Sequence, residues 1–272
     1  MNRIQSLLQH VGRLRTRMGA AFVGQRAVFR GHDLHTDLKN MDWLELFAFG
    51  ITGKRFTSAE LTLLHALWVY TSYPDARIWN NRVAALAGSA RSTGALGLAA
   101  ALAVSEAKIY GLGPGVRAYD FFAEATRRLA SGVHLTEIIE HTLHTQRGIG
   151  GYGRPIAADD ERIGPIMARA RENGLADGRF IKLAFETDAV LRAGRGRLRI
   201  NYAAITAALL LDLEFTRAQY YQFMIPIFFA GMPPCFMEAA ERPEGTLFPL
   251  TCADVLYEGA PKRSWSSVNT TK

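Results

Sequence analysis

Apolar positions along most of this chain recur at the three- and four-residue spacing of helices. Asp42 to Phe49 follows that spacing, and Thr57 to Tyr70 opens on Thr57 with Glu60 three residues on, a capping-box pattern. The Thr52–Gly53–Lys54 turn would join these two helices. Asn80 to Ser105 is rich in Ala, Leu and small residues without proline, which predicts a helix or helix pair, with Gly88 and Gly94 allowing close approach or a break. Gly111 to Gly115 punctuates, Tyr119 to Ala130 and Leu135 to Thr145 predict two further helices, and Gly148 to Gly153 is a glycine-rich loop. Helical spacing resumes at Ile163 to Glu172, Phe180 to Ala193 and Tyr202 to Leu213, and a polar tail follows Tyr257. Period-two alternation occurs only near the start. There Ala21–Phe22–Val23 and Arg26–Ala27–Val28–Phe29 flank Gly24–Gln25 as a hairpin. The pattern predicts a mainly α fold with a small N-terminal β-hairpin, and its lack of strand–helix alternation argues against a Rossmann or barrel enzyme.

Composition narrows the class. With 272 residues, 49% hydrophobic and 21% charged, the chain can bury a large core, which rules out disorder, collagen and coiled coil. Cys235 and Cys252 are its two cysteines, so no disulfide framework or thiolate metal site is implied, and a reducing compartment fits. The formal charge of +7 is spread among acidic residues from Asp33 onward, a weak footprint for nucleic acid. Before that point Arg3, Arg13, Arg15, Arg17, Arg26 and Arg30 occur without any acid. Such a stretch resembles an organelle transit peptide, but a basic first helix is favoured because the hairpin beginning near Met18 leaves only a short leader. Ala203 to Leu213 is about half the roughly 20 apolar residues that a membrane span requires. A soluble, cytoplasmic protein without a nucleic-acid or membrane partner is expected.

Candidate chemistry begins with Gly150–Gly151–Tyr152–Gly153–Arg154–Pro155, followed by Asp159–Asp160–Glu161–Arg162. Earlier come Phe29–Arg30–Gly31–His32–Asp33–Leu34 and Ile51–Thr52–Gly53–Lys54–Arg55–Phe56–Thr57, and later Asn201–Tyr202–Ala203 and Tyr257–Glu258–Gly259 with Arg263. In this order the motifs resemble the citrate synthase superfamily, which has a Tyr-Arg-Gly-Tyr-Asp-Ile strand end, a Gly-Glu-Leu-Pro-Thr turn, a Gly-Phe-Gly-His loop with Asp-Pro-Arg, an Asn-Val-Asp and a late Tyr-x-Gly. The compact length is similar to the citryl-CoA lyase branch, including the C-terminal module of ATP-citrate lyase. The resemblance implies an all-α, two-domain homodimer with a cleft that takes a coenzyme A thioester and a carboxylate partner, and no metal. After a basic segment at 1–18, the large domain would comprise 19–112 and 216–272, and the small domain 113–215.

The family's proton-transfer positions are substituted. Its loop histidine falls on Arg154, its aspartate on Ala203, and its other histidine on Leu112 or Tyr110. A substrate-binding arginine falls on Met232. None of these can serve as the family's base, so ordinary synthase chemistry is not expected and the base is unassigned, with Asp188, Glu186 and Asp120 as unranked candidates. Arg154 can hold an anion but not shuttle a proton. Arg162 matches the Arg of Asp-Pro-Arg, as a carboxylate ligand or as a surface ion-pair partner. Arg82, with Asn80 and Asn81, falls where the family binds substrate, although buried structural polar groups would read the same way. Expected substrate contacts are therefore Arg154, Arg162, Arg82, Asn81 and Asn201, and expected cofactor contacts are Gly151, Tyr152 and Gly153. The phenols of Tyr152 and Tyr202 are read chiefly as packed aromatics. His141 and His144 sit at metal-like spacing without a third ligand, and a solvated helix face is favoured. Arg192, Arg195, Arg197 and Arg199 form a basic run, a solvated loop that CoA phosphates could also reach. Two functions stay open: a divergent enzyme making or cleaving a carbon–carbon bond in an acyl-CoA or carboxylate-bearing substrate, and a catalytically silent binding or scaffold protein.

Overall fold

The computed structural model describes residues 3–8, 11–12, 14–146, 148–154, 159–194, 198–247, 251–261 and 263. Arg13, Pro155, Arg195 and Arg197 lie outside them. A short helix α1 (Arg3–Leu8) precedes a three-stranded antiparallel sheet, β1 (Gly19–Phe22), β2 (Arg26–Phe29) and β3 (His32–Asp33). The hairpin matches expectation, with Phe22 opposite Arg26 across the turn. The third strand was not foreseen because it is only two residues long, pairing His32 with Phe29 and Asp33 with Val28.

Helices follow. In α2 (Trp43–Thr52) the Asp42 side chain caps the start, and in α3 (Ser58–Val69) the Thr57/Glu60 capping box is formed in both directions. The Ala-rich stretch is a helix pair, α4 (Trp79–Ser89) and α5 (Gly94–Val104), broken at Ala90 to Thr93. Next is α6 (Leu112–Ala130), which starts a full seven residues before the predicted Tyr119. Glycine is required at Gly113 because its neighbours leave no room for a side chain: a Cβ there would lie 2.2 Å from the Ala107 carbonyl oxygen. The helices α7 (Leu135–Gln146), α8 (Ile163–Glu172), α9 (Arg179–Gly194) and α10 (Tyr202–Asp212) lie where the periodicity put them.

Two further helices were not predicted, α11 (Arg217–Met224) and α12 (Met232–Glu241), joined by a 3-10 turn at Ile225–Phe228. Pro226, Pro233 and Pro234 read as breakers, yet they stand in the first turns of the 3-10 segment and of α12, where a missing N–H is harmless. This changes the apolar-run reading too. Within Arg217–Glu241 an 18-residue stretch of mean hydropathy 1.4 is long and apolar enough by composition to cross a membrane, although 44% of that stretch is buried inside the protein.

The core centres on α10, whose residues from Ala204 to Leu211 are all buried. No charge interrupts the helix before Asp212, as expected of a helix covered on every side. It packs against α6 and α9, while α4, α5 and α12 form a second group in which Gly88 approaches the Phe236 backbone.

Candidate functional site

A cavity of about 910 Å³ opens where these groups meet. Its walls come from the Tyr73 to Asn81 connection, the Lys108 to Gly111 turn with the first turn of α6, the glycine loop, Asp160 and Arg162, the start of α10, and Tyr220 to Phe228. Of the residues singled out from sequence, Arg154, Arg162, Asn81, Asn201, Gly151, Tyr152, Gly153, Leu112 and Ala203 all line it.

The glycine loop is fixed by α10. Gly151 has φ +83°, and a Cβ there would lie 2.6 to 2.7 Å from Ala204. The N–H of Asn201 donates to the Gly151 carbonyl at 2.8 Å, and that of Gly153 donates to the Arg199 carbonyl at 2.6 Å. Asn201 caps α10 by accepting from the Ala203 N–H at 3.0 Å, while its amide donates to the Gly153 carbonyl at 2.9 Å. Asn201 thus holds the loop in place. The Tyr152 hydroxyl donates to the Ala184 carbonyl at 2.8 Å and that of Tyr202 to the Leu67 carbonyl at 3.1 Å, so both phenols are packed aromatics.

Arg162 makes a two-toothed pair with Asp160, Nε to Oδ1 at 2.8 Å and Nη2 to Oδ2 at 2.7 Å, and its guanidinium lies 4.6 Å above the Tyr202 ring. The Asp160 carboxylate is fully buried and also accepts the Tyr202 N–H at 2.9 Å. Burial would raise its pKa, but the Arg162 hydrogen bonds and charge, the Tyr202 N–H and the charge of Arg154 outweigh that and hold it below the ordinary value. Through Nη1, Arg154 donates to the Asp159 carbonyl and to the exposed Glu161 carboxylate, both at 2.8 Å. The two arginines therefore share one wall, largely neutralised by Asp160 and Glu161. Sequence reasoning missed this pairing, although Asp160 and Arg162 stand two residues apart.

Lys108 and Arg117 also reach the cavity, both exposed at its rim and without an ion pair among the described residues. Tyr110 and Leu112, the two alternatives for one histidine position, both face inward. The Tyr110 hydroxyl donates to Asn80 Oδ1 at 2.9 Å, and burial, eased by the charge of Arg162, pushes its pKa up to about 12. Asn81 donates to the Tyr73 and Asp75 carbonyls, holding one wall.

Other expectations fall elsewhere. Arg82 does not line the cavity: the buried side of α4 carries Asn80, Asn81, Ala84 and Ala85, which turns position 82 outward. Met232 is buried in the core. Asp188 accepts the Ile200 N–H at 2.7 Å and Arg192 Nε at 2.6 Å, Asp120 pairs with Arg217 at 2.6 Å, and Glu186 is exposed; none of the three lines the cavity. Arg192 and Arg199 of the basic run both reach carboxylates, Arg199 pairing with Asp159 at 2.9 Å. His141 and His144 are exposed, and the described residues contain no group of three metal-ligating side chains.

No family model matches the sequence, and no curated protein matches it either. Solved structures do. The citryl-CoA lyase from Hydrogenobacter thermophilus superposes with a TM-score of 0.80 at 21% identity, over 93% of this chain and 97% of that one. A variant ATP citrate lyase from Methanosaeta concilii, in complex with citryl-CoA, gives 0.75 at 15% identity, over 96% of this chain and 45% of that one. Citrate synthase from Thermotoga maritima gives 0.67 at 15% identity, over 86% of this chain and 62% of its own. The helical architecture, the cavity beneath the glycine loop and these superpositions together give the chain the fold of the citrate synthase superfamily.

Proposed function

We propose that the cavity binds a coenzyme A thioester with, or carrying, a carboxylate, and that the protein makes or cleaves a carbon–carbon bond in that ligand without a histidine–aspartate acid–base pair. The observation that carries this reading is the convergence of Arg154 and Arg162 on one wall of the cavity. Lys108 and Arg117 add positive charge at the rim, without an ion pair among the described residues, suited to phosphates. The large and small domains expected from sequence would meet across this cleft. A homodimer is part of the proposal, supported by the uncharged helix α5, where Leu96 is 67% exposed and Ala95, Ala99, Ala100 and Ala103 are exposed with it. Light scattering on Leu96→Glu should then give a monomer.

A second reading, binding without turnover, is favoured by a specific observation. The carboxylate in the cavity wall, that of Asp160, is locked to Arg162, and the phenols of Tyr110 and Tyr202, protonated at neutral pH as any ordinary phenol is, are made still weaker acids by burial.

Thermal shift with acetyl-CoA, CoA, citrate and oxaloacetate tests the proposal. A ligand at about 100 times its Kd should add about 2.7 kcal/mol of stability. No shift with any thioester or carboxylate would overturn it. Arg154→Ala should weaken citrate binding by about 1.5–3 kcal/mol, the worth of a charged hydrogen bond. Glu161→Gln should strengthen it several-fold by releasing Arg154, with stability changed by less than about 1 kcal/mol because the pair is exposed on the Glu161 side. Calorimetric titration of citrate into the two variants checks both signs.

A further inference from the structure

The cleft uses nothing before α2. Yet the chain ahead of Asp33 carries Arg3, Arg13, Arg15, Arg17, Arg26 and Arg30 and no acid. The root of this segment is packed. Arg30 donates to the Gly50 and Ile51 carbonyls at 2.8 and 3.3 Å, and the Phe29 ring meets Phe49 edge-on, which ties β2 to α2. Beyond that tie the apolar side chains stand in solvent. Ile4, Leu7 and Leu8 share one face of α1, Val11 continues their spacing in sequence, and all four are exposed. Leu14 and Val23 are each 96% exposed, Val23 at the tip of the hairpin, and Met18 and Phe22 are exposed between them. Such a run of exposed apolar groups marks a surface that another body covers.

Charge and shape select that body. Arg15, Arg17 and Arg26 stand among the apolar groups, exposed and without an ion pair among the described residues, and the Arg26 guanidinium rests 5.2 Å from the centre of the Phe22 ring. The first acids of the chain do not answer them. Asp33 belongs to β3, at the edge of the sheet opposite β1, and its carboxylate accepts the His35 and Thr36 N–H groups, while that of Asp37 accepts the Asp33 N–H. The complement is therefore anionic. A second copy of the segment would set arginines against arginines. Nucleic acid strands are held by stacking on aromatic side chains, and before Phe29 the segment has Phe22 alone of the phenylalanine, tyrosine and tryptophan type. Aliphatic groups spread over a helix face, an extended stretch and a hairpin tip form no groove for a peptide. They suit a flat layer that is apolar beneath an anionic surface.

We propose that the N-terminal arm, from α1 to the hairpin tip, docks the protein on an anionic lipid surface, with Leu14 and Val23 entering the acyl boundary and Arg15, Arg17 and Arg26 at the headgroup phosphates. The absence of a membrane partner expected from sequence rests on the length of apolar runs, which measures spanning and not surface attachment. The arm is independent of the thioester reading of the cleft.

The test is co-sedimentation of the full chain with vesicles of phosphatidylcholine alone and of phosphatidylcholine mixed with phosphatidylglycerol, alongside thermal melts. The wild type should bind the mixed vesicles, less tightly as salt is raised, and not the neutral ones. Arg15→Gln, Arg17→Gln and Arg26→Gln together should weaken binding about a hundredfold, at about fivefold for each charge. Leu14→Ser with Val23→Ser should weaken it by at least about tenfold, the worth of burying such side chains. Since all five side chains are exposed, neither variant should change the melting temperature. No binding to the mixed vesicles, or equal binding to the neutral ones, would overturn the proposal. So would binding that the arginine variant loses and the Leu14, Val23 variant keeps, the mark of attraction to any polyanion. A lowered melting temperature in both variants would also overturn it, since these side chains would then be part of the packed fold.

Discussion

Asp160→Asn is expected to destabilise the protein by about 3–5 kcal/mol at neutral pH, because it removes one partner of a buried ion pair and leaves the other charge uncompensated. Arg162 would keep its place above Tyr202 with no carboxylate to receive Nε and Nη2, and the Tyr202 N–H would lose a charged acceptor at the start of α10. The loss should depend on pH with a definite sign. The folded protein holds the Asp160 carboxyl below its ordinary value, so the carboxylate contributes stability that is fully present above the unfolded pKa of roughly 3.9. That contribution disappears as pH falls through the lower, folded value. Urea unfolding of wild type and variant should therefore differ most at neutral pH and converge in acid. A difference below about 1 kcal/mol at neutral pH would mean that the pair is not coupled to folding.

The second large effect is expected at Gly151. Its φ of +83° costs any other residue about 1–3 kcal/mol, and a Cβ would press on the N and Cα of Ala204 at 2.7 Å. Those atoms belong to the first turns of the central helix and cannot give way as a side-chain tip could, so overpacking adds roughly another 1–3 kcal/mol. Gly151→Ala should also displace the loop that carries Arg154, lowering citrate affinity together with stability. Gly164→Ala is a suitable control, since nothing lies within 4 Å of its added Cβ and its φ is ordinary. Chemical denaturation of the two variants should separate them clearly.

The fold was legible where local chemistry decides it. Thr57 with Glu60, and the hairpin around Gly24–Gln25, specify their structures within a few residues. It was illegible where tertiary contacts override a local signal. Gly113 and Gly115 read as loop residues but lie in a helix, and they are glycines there because the Ala107 carbonyl and the Tyr220 hydroxyl occupy the space beside them. One signal for α11 was present and unused: Thr216 and Gln219 form a capping box like that of Thr57 and Glu60. Within the site, the glycine loop and both arginines could be read from residue order. Asp160 could not, since three adjacent acids offer no basis for choosing the buried one. Lys108, Arg117 and Tyr220 reach the cavity from segments without any motif, and only folding brings them there.

A titration of acetyl-CoA into the purified protein with oxaloacetate present, followed by heat, tests most directly whether this cleft binds anionic thioesters through fixed cations without the histidine–aspartate pair of the synthases. The expected result is a saturable isotherm at neutral pH that is weakened by Arg154→Ala, without the continuing heat of acetyl-CoA–oxaloacetate condensation. Sustained condensation heat from the wild type, or no isotherm at all, would contradict it.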